Sequence, residues 1–570
     1  MPAGQASPQV DPLPAAAGQA VLATPWGVGG GQFGQRGGVG TAHPIIMFMT
    51  GVEALLILAG SLAVTALARK LDWSAPLLVV AVGLIVSFIP GLPDFRIEPD
   101  LVLVLFLPPL LYSAALDSSY LAFRANVRPI ALLSIGLVGA TMVGVGFIAH
   151  WLVPGLSLTS AMVLGAVVAP PDAVAAVAIG RKLGLPKRLM TLLSGESLVN
   201  DASARTLFKV AVAAATGSAT SIAGGLGQFG LAVVGGVAIG LALGWLVHVI
   251  RIRIGDGVLE SALGMLVPFG AYLLAEEVHG SGVLAVVTAG LYLGHNAPRA
   301  GYATRLQETA VWGAVDVLLE ALVFALIGLN FRFVLGEAHR AGHPPLSLLW
   351  PVLAVLVATM LLRVVWIYPA TYLPRKIPAV RRRDPMPSWR HVAVLAWTGM
   401  RGVVSLAAAA AVPDSVPGKD LILLLAAAIT VGTLLVQGTT LPWLIRSLGV
   451  RETGDKADAL AEAQATHTAT LAGLDRLNEL STVEDTGAPD HVVERLRALT
   501  EHRANSIWER LGRQDLESPA NAYRRLRREM LSAEREVYVT ARDSGEIDDE
   551  VLRRVLNELD LEEARLAARD

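Results

Sequence analysis

Two short stretches of this chain combine carboxylates with residues that interrupt or line a helix. The first reads Ala-Val-Val-Ala-Pro-Pro-Asp-Ala-Val, with Asp172 directly after Pro170 and Pro171. Two successive prolines remove two backbone donors and free carbonyl oxygens from helical hydrogen bonds. A carboxylate beside freed carbonyls and a helix end has the groups that coordinate a cation. The alternative is a proline kink whose aspartate pairs with an arginine.

The second stretch reads Gly-Glu-Ser-Leu-Val-Asn-Asp and ends at Asp201. Ser197 precedes Asp201 by four residues and Glu196 precedes Asn200 by four, so the two pairs form adjacent stripes on one helix face. Their oxygens suit a hard cation better than a transition metal. Because a carboxylate removed from water binds a proton more readily, such a group can exchange a proton for a cation. The alternative is a polar network that only joins two helices.

Two arginines in later apolar stretches are candidate partners for these carboxylates. Arg363 lies in Met-Leu-Leu-Arg-Val-Val, and Arg401 lies in Trp-Thr-Gly-Met-Arg-Gly-Val-Val. A charge inside a membrane span costs about 2.5–3.5 kcal/mol or more, so each one needs a reason. Gly399 and Gly402 flank Arg401, which predicts a second helix break.

The surrounding composition places these residues in a membrane. Of the 570 residues, 53% are hydrophobic and only 16% are charged. A bilayer core of roughly 30 Å needs about 20 apolar residues per helix, and such stretches recur from Ile46 to Leu448. The chain has no cysteine, which excludes disulfides and thiolate metal sites. A soluble multidomain protein is excluded by this pattern.

Length and apolarity predict an all-α polytopic membrane protein with about 13 transmembrane helices. The predicted spans are 46–68, 75–92, 101–117, 129–153, 158–180, 190–215, 223–250, 258–278, 281–295, 308–330, 347–373, 390–413 and 420–446. The fifth and twelfth spans carry the two predicted breaks and run in opposite directions. Interrupted helices at matching places in two inverted halves are typical of secondary transporters.

Basic residues predict the orientation of these spans. They cluster in alternate loops, most densely at Arg375, Lys376, Arg381, Arg382, Arg383 and Arg390. The loop after Phe331 has mixed charge and is the weakest point of the pattern. The positive-inside rule places the basic loops in the cytoplasm, the N-terminus outside and the C-terminus inside, in a plasma membrane.

The chain divides into three predicted regions. Residues 1–44 are rich in Gly, Ala, Pro and Gln, which predicts a disordered tail without a signal peptide. Residues 45–450 form the transmembrane region. Residues 451–570 are charged and contain amphipathic segments at 490–511, 521–541 and 549–567, which predict a cytoplasmic helical domain whose ligand, if any, is not identified.

Four other polar residues within the spans have less specific signals. Asp316 and Glu320 are four residues apart and suit either the transport path or a dimer face. Arg205 and Lys209 lie near the end of the sixth span, where they can pair internally or extend to the interface. We expect a structural role for all four.

Five motifs resemble the sodium/proton antiporters of the cation–proton antiporter superfamily, specifically the NhaP-like electroneutral branch related to animal sodium/proton exchangers. They are Pro-Asp-Ala-Val-Ala from Pro171, Gly-Glu-Ser-Leu-Val-Asn-Asp from Gly195, Ser-Gly-Val-Leu-Ala-Val from Ser281, Gly-Met-Arg-Gly-Val-Val-Ser from Gly399 and Leu-Val-Gln-Gly-Thr-Thr-Leu from Leu435. The resemblance extends from about Met47 to Leu448. It implies an inverted-repeat fold with two crossed, unwound helices, a dimerisation domain and a homodimer surrounded by membrane lipid.

The same resemblance implies an ion site. Asp201 alternately takes the proton and the cation, and Asp172 and Ser197 help to hold Na+. Asn200 is expected to take part in binding the ion, and it marks the branch that is usually electroneutral. Pro171 occupies a position where many relatives carry Thr, so only its backbone carbonyl is available as a ligand.

Three further residues are implied as supports. Glu196 and Arg363 form a salt bridge that braces the core, and Arg401 balances the helix ends at the second break. No cofactor and no nucleic acid are implied.

The function expected from these residues is exchange of Na+ or Li+ for H+ by alternating access, without ATP. No phosphate-binding Gly-x-x-x-x-Gly-Lys-Ser/Thr loop occurs. K+/H+ exchange by the same machinery stays open, and a cation channel or sensor is a more remote alternative. Asp172 and Asp201 do not resemble an aspartyl protease pair, so an enzyme is not expected.

Overall fold

The computed structural model describes residues 51–92, 99, 102–217, 222–342, 345–384, 386–451, 455–481, 489–512, 519–544, 546 and 549–567. The predicted disordered tail, residues 1–44, lies outside the described residues. Within the described ranges the chain forms helices and connecting turns, with no strand.

The first part of the chain contains the helices that build one half of the site. They are α1 (Gly51–Lys70), α2 (Ala75–Ser87), α3 (Val102–Leu116), α4 (Tyr120–Ala125), α5 (Val127–Leu152), α6 (Leu158–Val168), α7 (Val174–Leu183), α8 (Lys187–Ala215), α9 (Ile222–Ile254) and α10 (Gly257–Glu277). Two of them contain π-helical turns, α3 at Val102–Phe106 and α5 at Leu132–Leu137.

The second part supplies the other half of the site. Its helices are α11 (Gly282–Asn296), α12 (Tyr302–Leu329), α13 (Phe331–Arg340), α14 (Pro345–Tyr372), α15 (Pro378–Arg383), α16 (Trp389–Trp397), α17 (Val403–Ala410) and α18 (Lys419–Leu448). Short 3-10 turns follow α11 and α14, at Ala297–Arg299 and Pro374–Lys376.

Every predicted span contains described helix. Among the residues that the structure describes, seven helical stretches are long and apolar enough to cross a membrane: Val52–Lys70, Val127–Leu152, Gly227–Ile254, Gly257–Glu277, Tyr302–Arg340, Ser347–Lys376 and Lys419–Leu448. Shorter apolar helices occur at Ala75–Ser87, Val102–Leu116 and Leu158–Val168. The total of about 13 crossings stays a prediction.

The segment after Phe331, which the sequence suggests is a loop of mixed charge, is the helix α13. Val334 and Ala338 are buried on one side of it. Arg332 donates a hydrogen bond to the carbonyl oxygen of Ile89 at 3.0 Å. Amphipathic spacing therefore determines the structure of this segment. The α13 helix buries Val334 and Ala338, whereas Arg332 is half-buried and Arg340 is exposed.

Several helix pairs approach each other closely through glycine. A Cβ on Gly165 of α6 would lie 2.2 Å from the carbonyl oxygen of Met142 on α5, and one on Gly240 of α9 would lie 2.4 Å from that of Ala285 on α11. Small residues at such contacts let helix backbones pack directly, which is a main source of association between helices in lipid.

Beyond α18 the chain continues in charged helices. They are α19 (Asp455–Ser481), α20 (Asp490–Gly512), α21 (Pro519–Asp543) and α22 (Asp549–Ala567). The guanidinium of Arg527 on α21 forms two hydrogen bonds of 2.8 Å with Glu562 on α22. The three predicted amphipathic segments are thus helical, whereas α19 is additional. A separate cytoplasmic domain stays a prediction.

Candidate cation site at two crossed helix breaks

The first helix break lies between α6 and α7. The α6 helix ends at Val168 and α7 begins at Val174, because the two prolines between them cannot donate backbone hydrogen bonds. Asp172 Oδ1 accepts a hydrogen bond of 2.9 Å from the N–H of Val174. The carboxylate thereby satisfies a free donor in the first turn of α7 and is held at the positive end of that helix.

The second break lies between α16 and α17 and crosses the first. The α16 helix ends at Trp397 and α17 begins at Val403. The N–H of Asp172 donates to the carbonyl oxygen of Met400 at 2.8 Å, which joins the two unwound segments directly. The N–H of Arg401 donates to Thr433 Oγ1 on α18 at 3.0 Å. Backbone groups that the breaks free from helices therefore find partners in each other and in α18.

The charges at the crossing match the helix ends. Arg401 is 1% exposed, and its Nη1 donates to the carbonyl oxygen of Ala169 at 2.7 Å, just beyond the C-terminus of α6. Asp172 lies at the start of α7 and beside Gly402, which precedes α17. A cation at a helix C-terminus and an anion at helix N-termini are each stabilised by the helix dipole.

Gly402 is needed for this arrangement because a side chain there would collide with the carboxylate. A Cβ on Gly402 would lie 2.0 Å from Asp172 Oδ2 and 2.6 Å from its Cγ. The backbone of Gly402 is extended, with φ −121° and ψ −164°, so the requirement is space and not backbone freedom.

Gly402→Ala is therefore expected to displace the Asp172 carboxylate and to abolish cation-coupled proton movement in vesicles, while the chain still folds and inserts. The matched control is Gly313→Ala, because a Cβ on Gly313 meets nothing within 4 Å although the residue lines the same cavity. Equal transport by both variants would show that the position of Asp172 is not critical.

The α8 helix brings the Asn-Asp pair to the crossing. Asn200 is fully buried, and its Nδ2 donates to the carbonyl oxygen of Pro171 at 2.7 Å. Asn200 Oδ1 has no hydrogen-bond partner among the described residues. The only candidate ligand atom of Pro171, its carbonyl oxygen, is thus already held by Asn200, although it keeps a second lone pair.

A cavity of about 690 Å³ faces the crossing and α8. Asp172, Ser197 and Asp201 all line it. It extends as far as Asp117 and Arg181, whose side chains are 66% and 65% exposed and lie 3.7 Å apart. Both lie at helix ends next to loops that the charge pattern predicts to be cytoplasmic. The cavity therefore links the candidate ligands to one side of the protein.

Glu196 of α8 does not line the cavity and forms a buried ion pair with Arg363 of α14. Arg363 Nη1 and Nη2 lie 2.5 and 2.9 Å from Glu196 Oε1 and Oε2. Arg363 also donates to the carbonyl oxygen of Leu395 near the end of α16. The pair connects α8, α14 and α16 and thereby stabilises the end of α16 that precedes the second break.

Two residues to which the sequence assigns a structural role line the cavity instead. Asp316 and Glu320 of α12 both lie on its wall. Ser113 of α3 donates to Asp316 Oδ2 at 2.5 Å, and Asp316 Oδ1 is buried without a partner among the described residues. Their spacing of four residues in an apolar helix is the sequence signal for this shared face.

Arg205 follows the structural expectation. Its guanidinium forms a 2.8 Å ion pair with Glu276 and a 2.7 Å hydrogen bond to Tyr272, both on α10. Lys209 is exposed. Neither side chain lines the cavity.

The candidate ligands beside the crossing are hard oxygens: the carboxylates of Asp172 and Asp201, the hydroxyl of Ser197 and the carbonyl oxygen of Pro171. Such ligands bind alkali and alkaline-earth cations in preference to transition metals. Asp201 is 8% exposed and Asp172 is half-buried, so binding of a cation or a proton removes charge from a largely enclosed place.

Comparison with known proteins agrees with the resemblance found in the motifs. Residues 54–447 match the family described as sodium/hydrogen exchanger, transmembrane. An uncharacterised Na+/H+ exchanger of Mycobacterium tuberculosis is 34% identical over 90% of this chain and 96% of its own length. The Na+/H+ antiporter ApNhaP of Aphanothece halophytica is 33% identical over 71% of this chain and 76% of its own.

A solved structure shows the same fold. The sodium proton antiporter MjNhaP1 from Methanocaldococcus jannaschii matches with a TM-score of 0.53 at 21% identity, over 70% of this chain and 95% of that one. The family match covers nearly the whole predicted membrane region. The chain belongs to the sodium/hydrogen exchanger family and is an NhaP-like cation–proton antiporter.

Proposed function

We propose that this protein exchanges Na+ or Li+ for H+ by alternating access, driven by ion gradients alone. The observation that supports it most is the 2.8 Å hydrogen bond from Asp172 N–H to Met400 O, which crosses two helix breaks at the wall of the cavity that holds Asp201. Paired breaks beside titratable carboxylates are the architecture by which secondary transporters hold an ion.

Asp201 is the proposed exchange group. A proton and Na+ each neutralise one carboxylate charge, so the two compete for Asp201 and cannot both occupy it fully. Asp172 and the hydroxyl of Ser197 supply further oxygens from the same cavity wall. The Asn200 amide donates to the Pro171 carbonyl oxygen, and Asn200 Oδ1 has no partner among the described residues. Either the Pro171 carbonyl oxygen or Asn200 Oδ1 can therefore complete the coordination shell of the cation.

The stoichiometry proposed is one cation for one proton. The residue before Asp201 is the neutral Asn200, so only one acidic group of this pair changes its charge. A single positive charge then moves in each direction per cycle, and the exchange is electroneutral.

The ion site moves as one body in this proposal. Hydrogen bonds from Asp172 to Met400, from Arg401 to Ala169 and from Asn200 to the carbonyl of Pro171 tie the two breaks to each other and to α8. Helices tied at their unwound parts shift together more readily than one at a time, as rigid-body alternating access requires.

The test is proton movement in vesicles that contain the full chain and an acidic lumen. Addition of Na+ or Li+ outside is expected to make the lumen alkaline, at a rate that an imposed membrane potential does not change. A response to K+ alone would show that the transported cation is K+ and would leave the exchange mechanism unchanged. Cation flux without proton movement would favour a channel, and the absence of any response from correctly folded protein would overturn the proposal.

We further propose a plasma-membrane homodimer with the N-terminus outside and the C-terminus in the cytoplasm. Because the chain lacks cysteine, single cysteines report the orientation directly. In intact cells, Ser415→Cys is expected to react with an impermeant maleimide, whereas Arg382→Cys reacts only after permeabilisation; both positions are exposed. The reverse pattern would invert the topology. A mass of one chain in native mass spectrometry would contradict the dimer.

A further inference from the structure

A second cavity lies away from the cation site, where four helix ends meet. It has a volume of about 280 Å³ and is formed by the starts of α5, α8 and α16 and the end of α14 with the turn that follows it. Its charged lining residues are Arg128, Arg188, Arg375 and Asp384, with His391 beside them. All of these segments belong to the side that the basic loops predict to be cytoplasmic.

The cavity has a surplus of positive charge. Arg188 and Arg375 both pair with the single carboxylate of Asp384. Arg128 has no ion-pair or hydrogen-bond partner among the described residues and is exposed at the cavity. Three guanidinium groups against one carboxylate leave two formal positive charges uncompensated, so the cavity favours an anion.

Arg375 provides a donor without an acceptor. Its side chain is 7% exposed, and its two terminal nitrogens donate to Thr371 O and to Asp384. The remaining donor, Nε, is buried and has no partner among the described residues. Guanidinium groups recognise phosphate oxygens through such planar sets of N–H groups. A phosphate oxygen within the cavity would complete the hydrogen bonds of Arg375.

The walls between these charges are apolar. Pro129, Leu132, Leu133, Leu189, Leu192 and Val392 line the cavity. Free phosphate would leave these walls in contact with water, whereas a phospholipid presents its phosphate to the arginines and its acyl chains to the leucines. Basic pockets between helices at the cytoplasmic face suit anionic lipid headgroups on electrostatic grounds.

We propose that this cavity binds the headgroup phosphate of an anionic phospholipid from the cytoplasmic leaflet. This cavity is separate from the cation site, but it contacts the helix that the Glu196–Arg363 pair stabilises. Leu395 lines the cavity, and its carbonyl oxygen accepts hydrogen bonds from Arg363, the partner of Glu196. A bound lipid therefore packs against the end of α16 that precedes the second break and stabilises it.

The experiment uses the full chain, purified in detergent and stripped of lipid. Phosphatidylglycerol, phosphatidylcholine and inorganic phosphate are titrated separately, with thermal unfolding and native mass spectrometry as readouts. We expect phosphatidylglycerol to raise the melting temperature and to give a one-lipid adduct, and the other two to do neither. A rise in melting temperature with inorganic phosphate would indicate a site for a free anion. Equal rises with both lipids would show that the cavity does not recognise the headgroup charge. Either result overturns the proposal.

Variants separate this cavity from diffuse surface charge. Arg128→Gln is expected to weaken phosphatidylglycerol binding by about tenfold, the effect of losing one charge-assisted contact. Arg382→Gln removes the same charge from the neighbouring basic stretch outside the cavity and is expected to bind like wild type. Arg188→Gln provides a second test within the cavity if Arg128→Gln is unstable. Equal losses in Arg128→Gln and Arg382→Gln would contradict a defined site.

Discussion

Replacing Asp201 with asparagine is expected to reduce Na+-driven alkalinisation of acidic vesicles to the level of protein-free vesicles. Asparagine has nearly the same size and can still occupy the cavity wall, but it neither binds a proton nor carries the negative charge that competes for Na+. Since Asp201 is the proposed exchange group, no residual slow exchange is expected, in contrast to a variant that only weakens cation binding.

Asp316→Asn is the matched control for this variant. It removes a carboxylate of the same kind from the same cavity, but on α12 and not on the helices of the crossing. We expect it to keep exchange at saturating Na+. Transport should be measured for folded protein of both variants at several Na+ concentrations. If Asp201→Asn exchanges as fast as wild type, another carboxylate carries the proton and Asp172 becomes the first candidate.

The sequence predicts the two helix breaks well because their causes are local. Pro170 and Pro171 remove donors wherever the chain lies, and Gly399 and Gly402 leave space around an arginine in a span. Hydrophobic length likewise predicts where helices occur, although α13 shows that a short amphipathic helix is easily taken for a loop. These features depend on neighbours within one or two turns of the chain.

The contacts between the two breaks cannot be predicted from the local sequence. Asp172 and Met400 meet through backbone atoms alone, and Asn200 meets a backbone carbonyl of Pro171, so at least one partner in each contact carries no residue-specific signal. Gly402 illustrates the difference: its presence beside Arg401 predicts a break, whereas its contact with Asp172 Oδ2 depends on how two distant segments cross. Helical periodicity places Asp316 and Glu320 on one face but does not reveal that the face lines the cavity.

Breaking the Glu196–Arg363 ion pair is expected to have a large effect on the stability of the protein. Both side chains are nearly inaccessible, at 2% and 1% exposure, and Arg363 is the partner that neutralises Glu196. A Cβ on Gly399 would lie 2.6 Å from Arg363 Cδ, so the arginine also fills the space that this glycine leaves. Removal of one partner from such a pair leaves an uncompensated buried charge, which costs about 3–5 kcal/mol.

Arg363→Met is therefore expected to destabilise the protein by about 3–5 kcal/mol, seen as early thermal unfolding in detergent, whereas Glu196→Gln together with Arg363→Met recovers most of the loss. The double variant has no buried charge to leave unpaired, and a methionine has about the volume of the arginine stem, so the packing against Gly399 is kept. Because the pair lies outside the cavity, the recovered double variant should also transport. If the double variant is no more stable than Arg363→Met, the hydrogen bonds from Arg363 to Leu395 support the second break, and the charge of Glu196 is secondary.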